Sequence, residues 1–175
     1  MAALVVTHIG TTSYGSLAGF EVAKSNPIPN VGQVPPKIDT PTVTSAGGNV
    51  KSIDTRVPPD DMHAVSFKDV VGKKPVALVF ATPQLCQSRV CGPVVDIAEQ
   101  LKSVYGNRMT FIHQEVYANN NISDGLRPQM QAFHLQTEPW LFTLDSHGHI
   151  AARLEGSFGI KEFTQAIQAA LAKSR

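Results

Sequence analysis

The sequence predicts an α/β domain: a central mixed sheet flanked by helices, preceded by an N-terminal extension. Three observations carry this. Residues 76–81 (Val-Ala-Leu-Val-Phe-Ala) form an apolar run that reads as a buried central strand. Beyond it Val94, Ile97, Ala98, Leu101 and Val104 recur at helical spacing. From residue 76 onward the pattern reads β-α-β-α-β-β-α, which folds as a sheet covered on both faces.

Taken in order, residues 1–30 read as an extension, with strands expected over 2–9 and 18–22 and Gly and Ser between them. Residues 26–59 are rich in Pro, Gly, Ser and Thr and should wrap a core rather than form one. The main domain is expected to span residues 31–175. Ser66-Phe-Lys-Asp69 has the form of a helix start, giving a short helix near 67–71. Gly72-Lys-Lys-Pro75 ends it and launches the central strand. A strand over 109–116, a polar loop over 117–123 and a helix from Asp124 to His134 follow, with Asp124 as N-cap and Pro128 in the first turn. Strands over 140–144 and 150–154 flank Asp145-Ser-His-Gly148, a hairpin turn. Ile160, Phe163, Ile167 and Leu171 line one face of the last helix.

The chain has 175 residues and a net charge of +1, so nothing points to nucleic acid as a partner. No apolar run reaches the roughly 20 residues of a membrane span. The first residues lack the basic n-region of a secretory signal. We expect an extracytoplasmic setting, secreted or tethered, with any leader or anchor outside this sequence; the cytoplasm is the alternative. A monomer without cofactor or metal is expected.

The chemistry converges on Cys86 and Cys91, the only two cysteines. They sit where the central strand feeds a helix, whose N-terminus favours a thiolate. A redox pair is the first reading; a structural disulfide or a metal site are the alternatives, the last short of ligands. Residues five apart in a regular helix are separated by about 7.5 Å of rise and about 140° of rotation. A disulfide needs Cα atoms within about 4.4–6.8 Å. Cys86 therefore lies in the loop before the helix, or the first turn unwinds on oxidation. Arg89 reads either as a charge that lowers a thiol pKa or as a solvated helix residue. His113 reads as structural, His147 and His149 as exposed, and His134 as a helix-end charge. Trp140 reads as packing beneath the hairpin. Glu115, ending a strand on the cysteine side, is a minor candidate for a proton acceptor.

The order of elements, cysteines after the first strand and an X-Pro before the hairpin resemble the thioredoxin fold from about residue 31 to the C-terminus. Val31-Gly-Gln-Val-Pro-Pro36 resembles the opening of redoxin and alkyl-hydroperoxide-reductase-type domains. Residues 64–80 and 137–150 resemble two further segments of those domains. The resemblance implies that Pro139 is cis and shapes a substrate groove, and that Glu138 offers backbone groups to an extended peptide. The C-x4-C spacing is similar to that of the peroxiredoxin Q group, in which the first cysteine is peroxidatic. The sequence departs from peroxiredoxins upstream, where Thr82 is four residues before Cys86, and at the arginine position, which is Glu138-Pro139. It departs from several thioredoxins in having no acid on the 76–81 strand. Copper chaperones of cytochrome oxidase assembly also share the fold, but their histidine position is occupied here by Pro139.

The expectation is a thiol–disulfide oxidoreductase acting on protein disulfides or thiols, served by a reductant protein or small thiol. Cys86, expected to be nearer the helix N-terminus and the surface, attacks and Cys91 resolves. A thiol peroxidase is the runner-up, and a copper-handling or non-catalytic module the third reading.

Overall fold

In the computed structural model, which describes residues 2–19 and 24–174, the sheet is built on Val76–Phe80 (β3), buried at every position. Both its edges are paired. Thr110–Gln114 (β4) runs parallel on one side and Trp140–Leu144 (β5) antiparallel on the other; Ile150–Glu155 (β6) closes the order β4-β3-β5-β6. A continuous apolar run is what a strand enclosed on both faces requires.

Side chains of β3 alternate between two cores, as strand geometry dictates. Ala77 and Val79 join Val94, Val95, Ala98 and Leu101 of Cys91–Tyr105 (α2) and Phe163 and Ile167 of Ile160–Lys173 (α4). Val76, Leu78 and Phe80 face the opposite core, with Phe67 of Phe67–Val70 (α1), Phe133, Phe142 and Trp140. There Phe80, Phe133 and Phe142 meet at centroid distances of 5.1–6.1 Å, two of the three pairs edge to face. Trp140 stacks on Phe142 and donates from Nε1 to the Thr137 hydroxyl at 2.9 Å, so it packs beneath the hairpin as expected. In the β5–β6 turn, Gly148 has φ 88°, and a Cβ there would lie 3.3 Å from the backbone of Gly72.

Two boundaries differ from expectation. The helix expected from Asp124 begins at Pro128 (Pro128–Ala132, α3). Gly125 is in the left-handed region, Leu126 bridges to Tyr117, and the Arg127 N–H donates to Val116 O, so this stretch is extended. Pro128 is then well placed as first helical residue. In the extension, Ala2–Ile9 (β1) lies as expected, but its partner is Thr12–Gly19 (β2), in unbroken antiparallel register from Ile9↔Thr12 to Ala2↔Gly19. Gly15 and Ser16, expected in a linker, are strand residues because that register runs through them. The remainder of the expected 18–22 strand, residues 20–22, lies outside the described residues. The hairpin forms its own two-stranded sheet, and the following segment docks on β6 through Gly32 N–H to Ile150 O at 2.8 Å.

Phe142 is fully buried among the three other rings. Phe142→Ala should lower stability by about 3–5 kcal/mol, read as a reduced midpoint in urea with an unchanged slope.

Candidate active site

Strand β3 ends at Phe80, and Thr82 turns the chain out of the sheet. The Thr82 carbonyl accepts N–H groups from Leu85 and Cys86 at 3.3 and 3.1 Å, and Arg89 N–H returns to Cys86 O. Arg89 has φ 59°, a left-handed conformation that no α-helix continues through, so α2 begins two residues later at Cys91. Cys86 is thus a loop residue and Cys91 opens the helix. The two form a disulfide with Cα atoms 6.0 Å apart, within the range such a bond needs.

Cys86 is 8% exposed and Cys91 fully enclosed. Cys86 was expected to be nearer both the surface and the helix N-terminus. Only the first holds: the helix N-terminus belongs to Cys91, because Arg89 breaks the helix behind it. Cys86 instead has the Ser88 hydroxyl 3.2 Å from its sulfur. Arg89 is exposed, as its solvated reading expected, but it lies in the loop and not in the helix.

The Glu138–Pro139 peptide is cis, and Pro139 is buried at the start of β5. The Pro139 carbonyl accepts from Gly156 N–H, which ties this corner to the end of β6. Among the described residues no hydrogen bond engages the backbone N–H or C=O of Glu138. Its side chain points inward. Oε2 accepts from Thr82 N–H at 2.7 Å and lies 3.3 Å from Cys91 Sγ; Oε1 is buried without a partner. A groove of about 240 Å³ beside the disulfide is lined by Cys86, Gln87, Ser88, Tyr117, Gln136 and Glu138, among others.

Similarity to known structures follows this geometry. No family model and no curated protein matches the chain. Two solved structures from Chlorobium tepidum do, both described as thiol:disulfide interchange proteins, one provisionally assigned as DsbE. The latter is 16% identical, with a TM-score of 0.56 over 82% of this chain and 99% of that one. The other is also 16% identical, with a TM-score of 0.52 over 85% and 99%. A thioredoxin-like protein in its oxidised form is 15% identical, with a TM-score of 0.50 over 61% and 83%.

The chain has the thioredoxin-like fold.

On this thioredoxin-like scaffold β3 carries no acid, and the carboxylate nearest Cys91 comes from another element. Burial pushes the Glu138 carboxyl up to about 7; the Thr82 N–H opposes this, and the charge of Glu115 adds to it. Glu115 itself is buried, its Oε1 accepting from Thr55 N–H at 2.6 Å while Oε2 has no partner. Burial also raises the Tyr117 phenol, with the Glu138 charge reinforcing it. Reading the sequence placed Glu138 here for its backbone and missed its side chain. The available signal was an acidic residue directly before the proline that faces the cysteines.

Four buried residues beneath the disulfide loop also escaped that reading as a group. Asp54, Asp60, His63 and His113 converge there. His113 Nε2 donates to Ala81 O at 2.9 Å and Nδ1 meets Asp60 at 2.7 Å. Burial alone would lower the His113 pKa, but the Asp60 hydrogen bond and the charges of Asp60, Glu115 and Asp54 raise it to about 9. His113 is thus structural in the expected sense of being buried and satisfied. His134, His147 and His149 are exposed and take no part.

The raised Glu138 has a consequence for stability. A carboxyl with a folded pKa of about 7 against 4.5 unfolded binds more protons when folded, so its favourable contribution is complete below pH 4.5 and lost as pH rises through 7. Glu138→Gln should flatten the fall in urea midpoint of the oxidised protein between about pH 4.5 and pH 7. An unchanged slope would show that the carboxyl titrates normally.

Proposed function

We propose that this chain is a thiol–disulfide oxidoreductase that cycles between a Cys86–Cys91 dithiol and disulfide, with Glu138 as the proton acceptor for Cys91. The observation that carries it is the Glu138 carboxylate, 3.3 Å from the sulfur of the enclosed cysteine and raised toward neutrality. A group that must take a proton from a thiol and later return it works best with a pKa near the operating pH.

In the reducing direction the Cys86 thiolate attacks a sulfur of the substrate disulfide. That S–S bond breaks, one substrate sulfur leaves as a thiolate, and Cys86 holds the other in a mixed disulfide. The Cys91 thiol gives its proton to Glu138. The resulting thiolate, at the first residue of α2, is favoured by the helix dipole. It attacks the Cys86 sulfur, the mixed disulfide breaks, and the second substrate thiolate leaves. Two electrons have passed from the dithiol to the substrate. Run backwards, the steps oxidise a dithiol. The Ser88 hydroxyl is placed to donate to the Cys86 thiolate.

Cys86 is the more accessible of the two cysteines, 8% exposed against a fully enclosed Cys91, which supports its role as the attacking thiol. The unpaired Glu138 backbone beside Pro139 suits an extended protein segment as substrate. The similarity to thiol:disulfide interchange proteins supports the same class of reaction. An oxidising, extracytoplasmic setting belongs to this reading, because cytosolic thiols are held reduced. Peroxide reduction finds less support: it needs donors that polarise an O–O bond, and a carboxylate occupies the place of the peroxiredoxin arginine.

Reduced protein should cleave the disulfides of a model protein substrate in a turbidity assay. Cys86→Ser should abolish this, and Cys91→Ser should accumulate a mixed disulfide visible by mass spectrometry. Brief alkylation at neutral pH should label Cys86 before Cys91; the reverse order would exchange their roles. Glu138→Gln should slow resolution roughly 10²-fold or more while leaving the first attack intact. Consumption of hydrogen peroxide should stay near that of a free thiol, and a rate far above it would favour the peroxidase reading.

A further inference from the structure

Asp54, Asp60, His63 and His113 take no part in the thiol chemistry. Each is at most 6% exposed. Their ligating atoms all lie within 4.8 Å of one another. Four bonds of about 2.0–2.1 Å at tetrahedral angles place donors about 3.3 Å apart. His63 Nε2 is 3.6 Å from Asp54 Oδ2 and 3.6 Å from Asp60 Oδ1. His113 Nδ1 is 2.7 Å from Asp60 Oδ2 and 4.0 Å from Asp54 Oδ1. These separations, taken over both oxygens of each carboxylate, bracket the tetrahedral value; a four-coordinate site would draw one oxygen from each.

The donors are oriented from behind. Ala81 O only accepts, so His113 keeps a hydrogen on Nε2; its Nδ1 faces the cluster and would release the proton it holds against Asp60 when an ion binds. Asp54 is held by the N–H groups of Arg56 at 2.8 Å and Asp60 at 2.7 Å, and Asp60 by that of Met62 at 2.8 Å. Such outer partners are what fixes metal ligands in place. His63 Nε2, by contrast, is buried and has no hydrogen-bond partner, although it points between two carboxylates. A cation there would satisfy it.

We propose that Asp54, Asp60, His63 and His113 form a closed, four-coordinate structural site for one zinc-class divalent ion. Two carboxylates neutralise a dication, and two imidazoles select zinc-class ions over magnesium or calcium, which take oxygen ligands. Asp54 also lines a surface cavity of about 380 Å³ with Thr55, Arg56 and Gln84, so the cluster lies next to solvent on that side. The bound ion would clamp the 54–63 segment onto the ends of β3 and β4. That segment carries Thr55, whose hydroxyl accepts from Gln84 N–H at 3.2 Å in the disulfide loop. The expectation of no metal considered the two thiols; this cluster is separate from them.

Oxidised full-length protein, its thiols locked in the disulfide, would be dialysed against Zn²⁺ or Mg²⁺ and its metal content measured. One zinc per chain and no retained magnesium are expected. Co²⁺ should give the visible bands of a tetrahedral nitrogen and oxygen site without a thiolate charge-transfer band. The Cys86→Ser/Cys91→Ser double variant should keep the zinc, and His63→Gln should lose affinity roughly 10²-fold or more. No stoichiometric zinc in the wild type overturns the proposal. So does zinc that survives His63→Gln but leaves with the cysteine pair. If His63→Gln does not fold, the wild-type Co²⁺ spectrum decides, and its lack of tetrahedral bands is fatal.

Discussion

Thr82 is the point on which the candidate site depends. It is fully buried, and each of its hydrogen-bonding groups serves a different part of the structure. Its N–H holds the Glu138 carboxylate, its carbonyl caps the turn that leads into Cys86, and its hydroxyl accepts the Val116 N–H at 3.0 Å. One residue beyond the central strand therefore sets the disulfide loop, the corner before Pro139 and the exit of β4 in a common frame. Buried backbone groups must find partners. Here that requirement is met by bringing three otherwise separate segments together.

The same frame explains why a carboxylate can sit against the enclosed sulfur. An ionised acid out of water is costly unless it is hydrogen-bonded. Glu138 has one N–H donor and leaves its other oxygen unpaired, with Glu115 close enough to repel it. The outcome is a group poised between its two protonation states. Satisfied by two or three donors, it would stay ionised and take no proton from a thiol. Its incomplete hydrogen bonding is thus consistent with a chemical role and is poor design for stability alone.

Much of the fold was legible because it rests on local periodicity. The apolar run at 76–81, the helical recurrence through α2 and α4, and the turn at Asp145–Gly148 each report a neighbourhood in sequence. The boundaries that failed depended on pairing at a distance. Asp124 resembles an N-cap in isolation, but the chain is held extended to residue 127 by Tyr117 and Val116. Gly15 and Ser16 read as linker until β1 lies beside them.

By itself the sequence determined the layered α/β order, the buried central strand, the cysteine pair at the strand-to-helix junction and the proline before the hairpin, since all follow from spacing and residue type. Only the tertiary structure decided which cysteine opens the helix, because that turns on the left-handed backbone of Arg89. It alone aimed the Glu138 side chain at Cys91, across a sequence separation of 47. It alone gathered Asp54, Asp60, His63 and His113, three from an irregular segment without periodicity and one from a strand. Side chains that meet through folding share no local pattern, so no window of sequence contains the signal that joins them.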